Sequence, residues 1–311
     1  FLLRIADINN NPKAMYGDEL TLLLDAQSIL NTGYDTTGKF LPIYLSSGGG
    51  RPAGYVYATI PFVAFFGTTT IAVKAVSILS GVGIVFLMYL ICSHLLSKNI
   101  GIFAAVLTAV NPWELSLSRG GFESHFALFL SLLGFYLFIK GRYIFSAAFF
   151  AAAMHTYSTY TFTIPLFAGL LLTRTKLQKL RVFFLITALS LVLGIYLSFS
   201  RGSSDRFSNI NIFSSKGIQG AVEAKILRER SFGSLPVDNS LTETVEIFIH
   251  NYTRNFSPDF LFIRGDENPR HNPASSGALF WFQLPLLILG SIYLYSKFRK
   301  LFYLLLLWLA I

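Results

Sequence analysis

Charge is scarce in this chain: Asp, Glu, Lys and Arg make up 13% of its 311 residues, about half the share usual in soluble domains. A soluble globule of that make-up lacks the polar surface to cover itself. Acid is scarcer than base, 16 carboxylates against 25 Lys and Arg, giving a net charge of +9. There is one cysteine, Cys92, inside an apolar run, which excludes a disulfide framework and a Cys-rich metal site. The histidines show no metal-binding spacing such as H-E-x-x-H. Internal repeats and low-complexity tracts are absent too. The positive balance is not gathered on a basic face, as nucleic-acid binding requires, so nucleic acid is excluded as a partner.

What is plentiful is apolar and aromatic: 53% hydrophobic residues, 31 Phe and 15 Tyr. A bilayer core of about 30 Å needs roughly 20 mainly apolar residues per helix. Stretches near that length lie at about Val73–Leu96, Ile100–Leu117, Phe122–Ile139, Tyr143–Tyr157, Thr161–Leu172, Val182–Phe199, Ala278–Tyr295 and Leu301 onward, with the tail of an earlier helix at Phe1–Leu3. The expected fold is therefore an all-α polytopic membrane protein. With Phe1 in place of a start Met and a final run from Leu301 to Ile311, the chain reads as a fragment truncated at both ends.

Two of those stretches are short, and Tyr143–Leu172 reads either as one long helix or as a hairpin turning at His155–Ser158. Charge decides between them. The connectors Ser93–Asn99, Lys140–Arg142, Thr173–Arg181 and Ser296–Lys300 hold ten Lys or Arg and no carboxylate. The hairpin puts all four on one face, which the positive-inside rule assigns to the cytoplasm. All sixteen carboxylates then fall outside or at outer helix ends, Glu114 and Glu123 among them, with Lys74 at the mouth of one span. Two long outer segments follow, at 4–72 and 200–277. Gly17–Gly33 is expected to be a helix whose stripe Leu20, Leu23, Leu24 and Ile29 lies on the membrane. Gly54–Gly67 reads as a second surface-lying helix, and Ile218–Arg230 and Leu241–Phe256 as helical parts of the second outer segment.

The candidates for chemistry stand at that outer interface. The adjacent acids Asp18 and Glu19 open a helix, where carboxylates also act as caps; as a pair they leave carboxylate-only metal binding open. Arg51, before Pro52, reads as a substrate-binding cation or as an interfacial Arg snorkelling to headgroups. Arg119 and Glu123 stand at the outer mouths of consecutive helices, as an ion pair or as substrate contacts. Asp266, Glu267, Arg270 and His271 form a dense polar cluster before the next span, either solvated or functional. His125 and His155 are near the same face.

The order of short motifs resembles the GT-C membrane glycosyltransferases, in particular the glycosyltransferase family 39-like branch of protein mannosyltransferases and aminoarabinose transferases. The likeness runs from Leu3-Arg4 through Asn11-Pro12, Asp18-Glu19, Leu41-Pro42, Arg51-Pro52, Asn111-Pro112-Trp113, Ser118-Arg119 and Glu123 to Gly265-Asp266-Glu267-Asn268-Pro269-Arg270-His271, nearly the whole chain as a single domain. It departs where Gly50 and Ala53 replace an acid and a second proline flanking the Arg51 position. The resemblance implies a GT-C helical bundle that transfers a sugar, with inversion, from a polyprenyl-phosphate donor to a lipid, glycan or protein acceptor. It also implies a multi-pass protein of the plasma (inner) membrane with its site on the outer face. Asp18 is then the base with Glu19 as its partner, and Arg51 and Arg119 bind the donor phosphate. Glu123, Asp266, Glu267, Arg270 and His271 form a second rank around the substrate, and no cofactor or metal is expected.

Two other classes compete. A transporter or flippase of lipid-linked sugars calls for ionisable groups along a path through the helices, and the sequence has none deep within its spans. A non-catalytic membrane scaffold would be indifferent to the loss of Asp18.

Overall fold

Segments whose apolar residues mark them as helical are helices in the computed structural model, which describes residues 1–8, 15–47, 50–172, 181–199, 220, 240–272 and 276–310. The basic connector at 173–180, Asn11-Pro12 and nearly all of the helix expected at Ile218–Arg230 lie outside the described residues. The fold is all-α apart from one small ladder. In order come α1 (Leu2–Ile5), α2 (Gly17–Thr32), β1 (Tyr44–Leu45), β2 (Arg51–Pro52), α3 (Gly54–Phe66), α4 (Thr70–Leu95), α5 (Lys98–Val110), α6 (Pro112–Ser118) and α7 (Glu123–Ile139). They are followed by α8 (Tyr143–Met154), α9 (Tyr160–Leu172), α10 (Arg181–Phe199), α11 (Ser240–Arg254), α12 (Gln283–Lys297) and α13 (Arg299–Ala310).

Among the described residues α4 alone is long and apolar enough to cross a membrane by itself. The span expected at Ile100–Leu117 is not straight: α5 and α6 meet at 61°. Pro112 explains the break, because its ring disfavours helical backbone at Asn111 and it has no N–H to give. Asn111 then caps α6, its side-chain oxygen accepting from the Glu114 N–H at 2.9 Å, while its amide donates to the Ala278 carbonyl at 3.0 Å. Between α8 and α9 the chain turns at 155–159, as the hairpin requires, and both helices are short, at 12 and 13 residues.

Two apolar cores organise the bundle. Leu22, Leu23, Ala26 and Ile29 of α2 pack with Tyr55, Val56 and Val63 of α3 and Ala72, Val73 and Val76 of α4. The stripe expected on α2 is thus divided: Leu23 and Ile29 are buried, whereas Leu20 and Leu24 are exposed. Phe138, Phe150 and Phe183 join α7, α8 and α10 in the second core through edge-to-face contacts. Outside these cores the surface carries Phe65, Phe86, Ile102, Leu189, Val192, Leu289 and Ile292, each more than half exposed.

The connectors sort by end. Lys140 Nζ lies 3.3 Å from His94 Nδ1, and Leu95, Leu96, Leu294 and Leu301 line one cavity. The basic connectors after α4, α7 and α12 therefore share an end of the bundle. At the other end the 155–159 turn meets the loop before α3: the Gly54 N–H donates to the His155 carbonyl at 3.0 Å, and the Tyr44 and Ser158 hydroxyls are 3.3 Å apart.

Candidate functional site

At the start of α2 the two adjacent acids have separate environments. Glu19 is buried, and both its oxygens accept backbone N–H groups, from Tyr16 at 2.9 Å and from Gly121 at 2.6 Å. The first bond caps α2; the second fastens it to the turn before α7. Gly121 packs closely at that turn: a Cβ there would sit 3.0 Å from Glu19 Cγ and 3.2 Å from Val73 Cγ2. Asp18 points the other way, with its side chain 48% exposed, and forms an ion pair with Arg270.

Arg51 is placed by the two-residue ladder, where it pairs with Leu45 across the strands. Its buried guanidinium donates to the Thr21 hydroxyl and stands 3.4 Å from Glu123 Oε1. Thr21 in turn donates to the Asp18 carbonyl at 2.9 Å, so Asp18, Arg51 and Glu123 belong to one connected group. Arg119 is the C-cap residue of α6. Its terminal nitrogens donate to the Leu3 and Ala6 carbonyls, each at 2.7 Å, which ties it to the end of α1.

The loop at 264–272 meets Asp18. Gly265, at φ 70°, and the buried Asn272 shape this loop. The Asn272 amide donates to the carbonyls of Arg264 at 2.7 Å and Ser276 at 2.9 Å. That brings Arg270 between the rings of Tyr16 and Phe122, 5.3 and 5.5 Å from their centroids. Beside it, His271 Nδ1 is 2.8 Å from Asp266 Oδ2, and its ring meets Phe122 edge to face. Glu267 is not part of this group; it pairs with Arg254 at the surface.

Two buried features were less legible in the sequence. Lys74, in the second turn of α4, is fully buried and its ammonium has no hydrogen-bond partner among the described residues, with Glu19 and Arg119 as its charged neighbours. A single cation in an otherwise apolar helix was the available signal. Arg4 pairs with Glu114, whose other oxygen is 3.2 Å from His125 Nε2. This trio packs beside Gly81, in the middle of α4, where an added Cβ would lie 2.7 Å from both Arg4 Nε and Ser118 Cβ. The expectation that no ionisable group lies deep among the helices is therefore corrected: Arg4 and Glu114 are enclosed at mid-helix depth, and Glu114 leaves the outer rim because the Asn111 bend turns α6 inward.

An apolar cavity of about 600 Å³ is lined by α4, α7, α9 and α13, with Cys92, Phe135, Tyr160 and Trp308 among its walls and none of the residues around Asp18. Among the described residues no group of three or more His, Cys, Asp and Glu stands together as a metal cage. Set beside known proteins, the chain matches no family model, no curated protein and no solved structure.

Proposed function

We propose that this chain is a GT-C-type membrane glycosyltransferase that moves a sugar from a polyprenyl-phosphate donor to a lipid, glycan or protein acceptor at the outer face of the plasma membrane. The observation that carries this reading is the setting of Asp18: a half-exposed carboxylate paired with Arg270, with Arg51 reaching the same turn of α2 through Thr21 and the Asp18 backbone carbonyl, and buried Lys74 near its neighbour Glu19. In support of a membrane setting, Arg4, Glu19, Arg51, Lys74 and Glu114 are buried while many large apolar side chains face outward, unlike the usual soluble protein.

The chemistry balances with these groups. The acceptor hydroxyl or amine attacks the anomeric carbon opposite the phosphate, and the carbon–oxygen bond to phosphate breaks with its electron pair staying on that oxygen. The acceptor proton goes to Asp18. The phosphodiester monoanion becomes a polyprenyl-phosphate dianion, whose added charge calls for a nearby cation. Glu19 serves by position, fixing α2 against the 119–123 turn.

Purified full-length protein given labelled polyprenyl-phosphate sugars is expected to transfer them, and Asp18→Asn to lower kcat by about 10²- to 10⁴-fold, the usual contribution of a positioned base. Full-rate transfer by the variant removes Asp18 as the base, and no transfer from any such donor by the wild type removes the function. A transporter or flippase of lipid-linked sugars is the second reading, favoured by the enclosed Arg4–Glu114–His125 group. It predicts movement of a lipid-linked sugar across proteoliposome membranes that stops in Glu114→Gln and continues in Asp18→Asn.

A further inference from the structure

Arg270 is held by its surroundings and yet only partly used by them. Its side chain, 29% exposed, has one terminal nitrogen on Asp18, while among the described residues its enclosed Nε has no hydrogen-bond partner. Tyr16 and Phe122 grip the guanidinium from their ring faces, an arrangement that fixes the plane of the fork without taking up its N–H groups. A planar fork with free donors is suited to phosphate oxygens.

Resting on the function proposed above, we infer that Arg270 is a partner-switching cation: paired with Asp18 in the free protein, it transfers to the donor phosphate during the reaction. The relocation of negative charge in the reaction favours such a shift. As the acceptor's proton reaches Asp18, that carboxylate goes from one negative charge to none, while the departing phosphate goes from one to two. The cation that neutralised Asp18 loses its partner in the same step that creates a stronger one beside it. Because Arg270 is clamped between two rings, it follows the charge by redirecting its hydrogen bonds with little movement. The interaction is then stronger in the transition state than in the ground state, which is the condition for raising kcat. In the free protein the same ion pair covers Asp18, so the site does not present an uncompensated carboxylate to water or headgroups.

The test is a binding cycle on the full-length protein in nanodiscs, with a long-chain polyprenyl phosphate as probe and the corresponding polyprenol as the uncharged control. Asp18→Asn releases Arg270 and is expected to bind the polyprenyl phosphate roughly fivefold tighter than wild type, the size of one partly exposed ion pair. The gain is expected to vanish in Asp18→Asn/Arg270→Gln. A gain of affinity cannot come from misfolding, so the cycle reads Arg270 itself. Equal or weaker binding by Asp18→Asn, or a gain that survives in the double variant, overturns the switch and leaves the donor class standing. Wild-type protein that binds the phosphate no better than the polyprenol overturns both.

Discussion

Asp18 and Glu19 are neighbours in sequence and differ in the work their surroundings leave open to them. A helix start offers unpaired N–H groups, and the carboxylate at the third position reaches back to them, so Glu19 is taken up by backbone. Asp18, one residue earlier, faces outward to the loop carrying Arg270. The sequence marked the pair but not this division, since both acids suit a helix N-terminus equally well on composition. Tyr16 reports on the arrangement. Its phenol titrates above the ordinary 10.0, raised first by burial and then by the charge of Glu19, with Arg270 pulling in the opposite direction. The folded form therefore favours the neutral phenol. That contribution to stability is fully present below a pH of about 10 and is lost as pH rises through the higher folded value. In a phenolate absorbance titration, the difference between the wild type and Tyr16→Phe is expected to titrate above 10.0. In an Arg270→Gln background it moves higher still. A downward move would mean that the guanidinium does not sit over this ring.

At the scale of elements, helix positions were legible because apolar runs bounded by Lys, Gly and Pro leave few alternatives. Depth was less so. The Asn111–Pro112 break was visible as letters, but how sharply α6 turns inward depends on what it meets, and it meets α1 through Arg4–Glu114 and Arg119. These contacts rivet the end of α1 to α6. Both charges of the Arg4–Glu114 pair are enclosed, and removing one partner leaves the other uncompensated, a cost of about 3–5 kcal/mol. Arg4→Met is accordingly expected to lower the melting temperature of the detergent-solubilised protein severely. Arg4→Met/Glu114→Gln should recover most of that loss, because no isolated charge remains. A double variant less stable than Arg4→Met would show that the pair is not the rivet.

For the whole molecule, the gathering of the described basic connectors at one end of the bundle was legible in the sequence because it needs only the positions of Lys and Arg between apolar runs. The cluster at Asp18 was half legible: Arg51 and Glu123 were singled out, while the pairing of Asp18 with Arg270 depends on a loop folded by Asn272 across a long sequence separation. Sidedness follows from the ends of the bundle. Gly54 cannot carry a Cβ without approaching the His155 carbonyl to 2.8 Å, so the α8–α9 turn and the first long segment are docked at one end, away from Lys98 and Lys140. If the bundle spans a bilayer in the orientation set by its basic connectors, the two ends differ in access. In a Cys92→Ala background, Thr68→Cys and Thr159→Cys are expected to react with a membrane-impermeant maleimide on intact cells. Asn99→Cys and Arg142→Cys should react only after permeabilisation. Labelling of Thr68→Cys and Thr159→Cys from opposite sides would place the first long segment and the α8–α9 turn across the membrane from each other. The close packing at Gly54 could not then exist in the membrane, and the outer-face site around Asp18 would lose its support.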